Sequence, residues 1–362
     1  MAGRHKLFDG LEGDDDRRSR RSRLTIAVIA ALALLTATGV WWFSRGRSGS
    51  SLEPAAAVHH VVCTGPAVTV PVVLTPQLAP PVKRIAADWL ATEPRAGGRC
   101  VRLQLTARTS DQAEAELARQ APAATGIWIP DSSVWVQRLR ADRPAAGAEI
   151  QLRPSLASSP LVAVAAPRRA AVLAAGTGSA DFDPLRQAIL PDAGHNAEGL
   201  LSLLSQAGSA PATSGDLAGR RRSALANPAE GFDRLAASQA ETMIFVASEQ
   251  AVIAANRTAG GLIAVAVYPS QPTLGLDFPV VQLHGSAAAP GQAAAAAAFE
   301  RVLRAPAARA QLAGAGLRAP DGAPLPGLGV ASGALPDLVP AADPPTPQQC
   351  LAMWRQWQSA GS

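Results

Sequence analysis

From residue 67 onward, short β-branched runs alternate with helical stretches, and this rhythm limits the fold more than any other feature of the chain. AVTVPVVLT (67–75) is a strand pattern, and a helix is predicted over residues 80–90. CVRLQLTAR (100–108) alternates with period two and reads as a half-buried strand. Ser110 is predicted to cap the helix DQAEAELARQ, and GIWIP (126–130) is a third short strand. Strands separated by helices of this length build βαβ units around a mainly parallel sheet.

The later part of the chain repeats the style. PLVAVAAP (160–167) is a fully apolar strand, and NAEGLLSLLSQAG and GFDRLAASQ are helices. ETMIFVASEQAVIAANR joins a strand to a helix, while GLIAVAVYP (261–269) and LDFPVVQLHG (276–285) are further strands. Two helices parted near Pro306 follow, then a Pro- and Ala-rich stretch. The chain closes with QQCLAMWRQW, where Leu351, Trp354 and Trp357 recur at helical spacing and predict a helix packed back on the domain. The 362 residues suffice for about two compact domains.

Residues 24–43, LTIAVIAALALLTATGVWWF, form an uncharged run long enough to span a bilayer. Trp41 and Trp42 sit at its far end, where an aromatic belt belongs. Seven basic residues precede the run, among them RRSRRSR (17–23), and only Arg45 and Arg47 follow closely. The positive-inside rule then places residues 1–23 in the cytoplasm as a basic tail and everything beyond residue 44 outside. The run is longer than a signal-peptide core, so an uncleaved single-pass plasma-membrane anchor is expected. Residues 44–60 read as a linker. The net charge of +5 resides largely beside the anchor, so no nucleic-acid partner is expected.

The chain has three cysteines, Cys63, Cys100 and Cys350. Disulfides are permitted outside the cell. Cys63 and Cys100 flank the first predicted strand and helix and are the favoured pair, with Cys350 left over, although spacing alone does not fix the connectivity. Enzyme constellations are missing: there is no Gly-x-Ser-x-Gly elbow. Lysines only at positions 6 and 83 exclude a P-loop and a Ser-x-x-Lys nucleophile, and the five histidines build no HExxH. His59, His60 and Cys63 cluster without a fourth ligand, so neither a metal nor a cofactor is expected.

TGIWIPDSSVW (125–135) stands out, because two of the seven tryptophans flank a Pro-Asp-Ser-Ser turn in a chain that is 4% aromatic. Five segments carry a resemblance: VVLTPQLAPPVKRIAADW (72–89), GIWIPDSSVWVQRL (126–139), SLASSPLVAVAAP (155–167), SEQAVIAANR with VAVYPSQPTLGLDFPVV (248–257, 265–281), and AAAFERVLRAPAARAQLAGAGLRAPDG (296–322). In order and spacing they resemble the bacterial extracellular solute-binding proteins of type II periplasmic-binding fold. Within that family they resemble the membrane-anchored actinobacterial domains often followed by a von Willebrand A domain. No Asp-x-Ser-x-Ser of that second domain occurs here.

The resemblance implies an α/β, two-lobed solute-binding domain over residues 61–335. Lobe 1 spans about residues 61–158 and 270–335, lobe 2 about 159–269, and 336–362 form a tail with a short helix. A small solute is expected between the lobes, bound without being changed, with a transporter or an envelope protein as partner. Ligands of open α/β sheets sit beyond the carboxyl ends of strands. Those ends offer Thr75, Pro76, Asp131, Ser132, Ser133, Ser158, Ser159, Ser248 and Glu249. Helix starts there present N–H groups to anions. Trp135 is expected to wall the cleft, and Trp128 is either wall or core. His195 and Asn196 occupy the turn where relatives often carry serines. A scaffold with a degenerate cleft and no ligand is the alternative.

Overall fold

The computed structural model describes residues 63–144, 149–176, 183–207, 214–237, 241–325, 332–335 and 341–360. The predicted basic tail, anchor and linker lie outside them. No helix among the described residues is long and apolar enough to cross a membrane.

Two sheets organise the chain. The first contains β1 (Ala67–Leu74), β2 (Arg95–Ala96), β3 (Arg99–Ala107), β4 (Gly126–Ile129), β5 (Ile150–Ser155) and β10 (Pro279–Leu283), in the order β2-β3-β1-β4-β10-β5. Its β3-β1-β4 centre is parallel, as the βα rhythm predicts, whereas β2, β5 and β10 pair antiparallel. β1 alternates buried Val68, Val70, Val72 and Leu74 with less buried neighbours, because successive side chains point to opposite faces. Gly126 must be glycine, since a Cβ there would lie 2.6 Å from the Pro71 carbonyl oxygen.

The second sheet contains β6 (Ser159–Ala165), β7 (Ile244–Ser248), β8 (Val265–Val267) and β9 (Gly275–Leu276). Every pairing of these strands is antiparallel, unlike the parallel arrangement the rhythm predicts for both halves. The reason is connectivity: β6 leaves the first sheet's side, and the return path through β8 and β9 runs back along it in the opposite direction. The faces of β6 serve two cores. Leu161, Ala163 and Ala165 join a core continuous with the first sheet, while Val162 and Val164 pack with Phe232, Phe245 and Val252 in a second.

Cys63 is bonded to Cys100 at the start of β3, and Cys350 is free and buried. The terminal helix Pro347–Ser359 begins with a capping box between Thr346 and Gln349. Its seam is Cys350, Met353 and Trp357, with Leu351 and Trp354 only half-buried. The seam is thus rotated from the Leu351–Trp354–Trp357 face that helical spacing predicts. The core into which it packs holds Val134 and Leu139 of the helix after β4 together with Leu200 of helix Ala197–Ala207 and Leu217 of helix Ser214–Ser223.

Candidate functional site

A cavity of about 280 Å³ lies where the two sheets meet. Ser132, Ser133 and Val134 reach it from the end of β4, and Ser158, Ser159 and Pro160 from the strand crossing between the sheets. Thr273, Leu274, Gly275 and Asp277 reach it from the returning strand, and Leu201 from helix Ala197–Ala207. Arg318 lies against it, and Ala341, Ala342, Pro344 and Pro345 of the terminal segment supply one wall. Four of the sequence-predicted residues are thereby brought together: Ser132, Ser133, Ser158 and Ser159.

The others lie elsewhere. Thr75 is buried at the end of β1, where its hydroxyl bonds the Gln77 side chain, and Pro76 is exposed. Trp128 and Trp135 are core residues, 1% and 2% exposed, rather than flat cleft walls. The Trp135 indole N–H donates to Asp131 Oδ1 at 2.6 Å, so the spacing of TGIWIPDSSVW serves a buried indole–carboxylate bond one helical turn long. His195 is exposed, and its Nδ1 lies 3.1 Å from Asp111 Oδ2. Asn196 bonds the Asp192 and Ala226 carbonyls. Ser248 and Glu249 are wholly buried at the end of β7 and the start of helix Glu249–Ala259.

Glu249 belongs to a linkage that the sequence did not signal. Arg318 Nε donates to Glu249 Oε1 at 2.9 Å and Arg318 Nη2 to Oε2 at 2.8 Å, with both side chains fully enclosed. The Tyr268 hydroxyl donates to Glu249 Oε2 at 2.5 Å. Arg318 also exchanges backbone bonds with Ser158 in both directions. The pair therefore ties the end of the C-terminal helices to the crossing strand and to the second sheet.

Three N–H groups at the strand ends and helix starts expected to greet an anion are already bonded within the chain. Ser133 N–H donates to Asp277 Oδ1 at 2.7 Å, Gln250 N–H to Ser159 Oγ at 2.9 Å, and Asp131 N–H to Ser110 Oγ at 3.0 Å. Ser110 is thus engaged across strand ends; Thr109 occupies the cap position of its helix, without a side-chain cap bond. Burial works against the charged form of the carboxyls near the cavity. Burial pushes Asp131 up to about 6, against the bonds from Trp135 and Ser110. Burial, with Asp131 nearby, pushes Glu198 up to about 8. Burial also raises Asp277, although Ser132 and Ser133 bond it. Removing the indole donor exposes this balance. Trp135→Phe is expected to cost about 1–3 kcal/mol, the penalty for a buried acceptor that loses its partner, read by urea denaturation at pH 7. An unchanged midpoint would show that the bond carries no stability.

Residues 70–318 match the bacterial extracellular solute-binding protein family. "Uncharacterized protein Rv1836c" of Mycobacterium tuberculosis is 27% identical over 382 residues, covering 92% of this chain and 54% of that protein. The chain therefore spans about half the length of the curated relatives it matches. Among solved structures, iron-bound HitA from Pseudomonas aeruginosa aligns with TM-score 0.55 at 13% identity, over 82% of this chain and 100% of that one. A periplasmic thiamin-binding protein aligns with TM-score 0.53 at 11% identity, over 82% and 97%. These likenesses concern the fold, which is the two-lobed α/β fold of type II periplasmic-binding proteins.

Proposed function

The chain belongs to the bacterial extracellular solute-binding proteins, and from that premise we propose that it is a receptor holding an uncharged or cationic small solute between its lobes. The observation that carries this reading is the cavity of about 280 Å³ lined by serines from both sides of the lobe boundary. A pocket of apolar walls with a few placed polar groups is what small-molecule recognition needs. The solute class follows from charge. Arg318 is matched by Glu249, and the Ser133 N–H at the nearest helix start is held by Asp277. An oxyanion would meet Asp277, the one acid among the cavity-lining residues. The solute is bound without chemical change.

The apolar run at residues 24–43 and the basic residues before it support a single-pass plasma-membrane anchor with this domain outside the cytoplasm. A receptor so placed hands its solute to a transporter or reports occupancy to an envelope partner. A scaffold without a ligand is favoured by one observation, the burial of Cys350, Met353 and Trp357 of the terminal helix in a core that both lobes share. A thermal-shift screen of sugars, amino acids, polyamines, sulfate, phosphate and molybdate separates the readings. A solute at 100 times its Kd adds about 2.7 kcal/mol, and Ser132→Ala with Ser133→Ala is expected to weaken it. Stabilisation by an oxyanion alone overturns the charge argument, and a screen with no hit favours the scaffold.

A further inference from the structure

The terminal segment both walls the cavity and touches both lobes. Ala342 N–H donates to the Thr273 carbonyl at 3.0 Å, pinning Ala341–Pro345 along the returning strand at the cavity. The helix Pro347–Ser359 then runs across the lobe boundary. On the first lobe it packs against helix Val134–Asp142, where the Arg138 guanidinium lies 4.6 Å from the centre of the Trp354 ring. On the second it packs against helices Ala197–Ala207 and Ser214–Ser223. Trp357, fully buried, donates its indole N–H to Asp192 Oδ1 at 2.7 Å, and Arg221 Nη1 donates to the carbonyls of Trp357 and Gln358 at 2.8 and 2.6 Å. Arg138 donates to the Gly194 carbonyl at 3.2 Å, so the first lobe meets the second directly beneath the helix.

We propose that residues 341–359 form an intramolecular strap that holds the lobes closed, and that solute exchange requires this strap to lift. The helix is held by one face only: Gln348, Gln349, Ala352, Arg355, Gln356, Gln358 and Ser359 are exposed. A helix docked along one seam opens as a local unit at a lower cost than global unfolding. Lobe closure about crossing strands is a hinge motion, and a clamp bonded to both sides opposes it. The strap's role in exchange rests on the solute-binding reading; its clamping of the lobes does not.

Cys350 gives a direct readout, because it is buried in the strap seam and the other two cysteines are bonded to each other. In the full chain without added solute, a maleimide dye is expected to label Cys350 slowly. Trp357→Ala and the milder Arg221→Ala are expected to raise the rate about tenfold or more, while hydrogen exchange of β1 and β6 amides stays slow. In a Cys350→Ser background, spin labels at Arg102→Cys and Val172→Cys, both exposed sites on opposite lobes, are expected to show a longer, broader distance distribution when Trp357→Ala is added. Labelling that rises only together with β-sheet amide exchange overturns the strap, as does an unchanged lobe distance after the helix is released. Both readouts are taken with no solute present, so their failure leaves the receptor reading standing, and an empty solute screen leaves the clamp standing.

Discussion

Arg318→Ala is expected to destabilise the domain by about 3–5 kcal/mol, the cost of stranding one member of a buried ion pair. Both side chains of the Arg318–Glu249 pair are fully enclosed, and the guanidinium donates through Nε and Nη2 to the two carboxylate oxygens. With the arginine gone, Glu249 keeps the Tyr268 hydroxyl and loses its only charged partner among the described ion pairs. The site also loses the bond from Arg318 Nη2 to the Leu335 carbonyl at 2.7 Å. The double variant Glu249→Leu with Arg318→Met is expected to cost much less than the sum of the single changes, because no lone charge is left behind. Guanidinium denaturation of the unmodified protein, Glu249→Leu, Arg318→Met and their double variant measures the cycle, with Arg318→Ala measured beside them. A cost below about 1 kcal/mol for Arg318→Ala, the range of a solvent-exposed pair, would mean that water reaches the pair.

The second large expected effect is that the domain is more stable near pH 5 than near pH 8. Glu198 is pushed from 4.5 up to about 8 and Asp131 from 3.8 up to about 6, burial being the main cause for each. Glu114, in helix Ser110–Arg119, is raised to about 7 by burial, partly offset by Arg138. A carboxyl whose pKa is raised in the folded state binds its proton more tightly there than in the unfolded chain. Its contribution is therefore complete below its unfolded pKa and is lost as pH rises through the folded one. The loss accrues between about pH 4.5 and 8, with a slope of up to roughly 1.4 kcal/mol per pH unit for each group titrating. Glu198→Gln removes one ionisation and is expected to flatten the profile and raise stability at pH 8 by a few kcal/mol. Urea midpoints from pH 5 to 8.5 test this. Stability that climbs with pH in both proteins would show that these carboxyls are charged and partnered in the fold.

Much of the architecture was legible because backbone periodicity is local. The buried positions of β1 alternate along AVTVPVVL, and β6 and β7 are unbroken apolar runs. β5 was not legible. Its sequence IQLRPS exposes Gln151, Leu152, Arg153 and Pro154, and it is a strand only because β10 pairs with it at the sheet edge. The site was half legible. The hydroxyl-rich turns at Ser132–Ser133 and Ser158–Ser159 were readable as strand ends, and they do line one cavity. What occupies their neighbouring N–H groups was not, since Asp277 reaches Ser133 across 144 residues of sequence.

Glu198 shows the same limit from another side. AEGLLSLL reads as an apolar helix with one acid in its first turn, and only burial in the folded chain, with Asp131 packed nearby, makes that acid's proton matter. Arg318 looked like one more basic residue, and Glu249, expected at the cleft, gave no sign in the sequence of the arginine that holds it. The terminal seam followed the same pattern: helical spacing gave a helix with an apolar face, and the crossing of two lobes decided that Cys350, Met353 and Trp357 would be that face. The order of strands and helices, and the turns between them, were thus determined by residues acting on their near neighbours. Which carboxyl meets which donor, and whether the gap between lobes is open or strapped, was decided by tertiary structure, because burial and charge depend on groups that only the folded chain brings together.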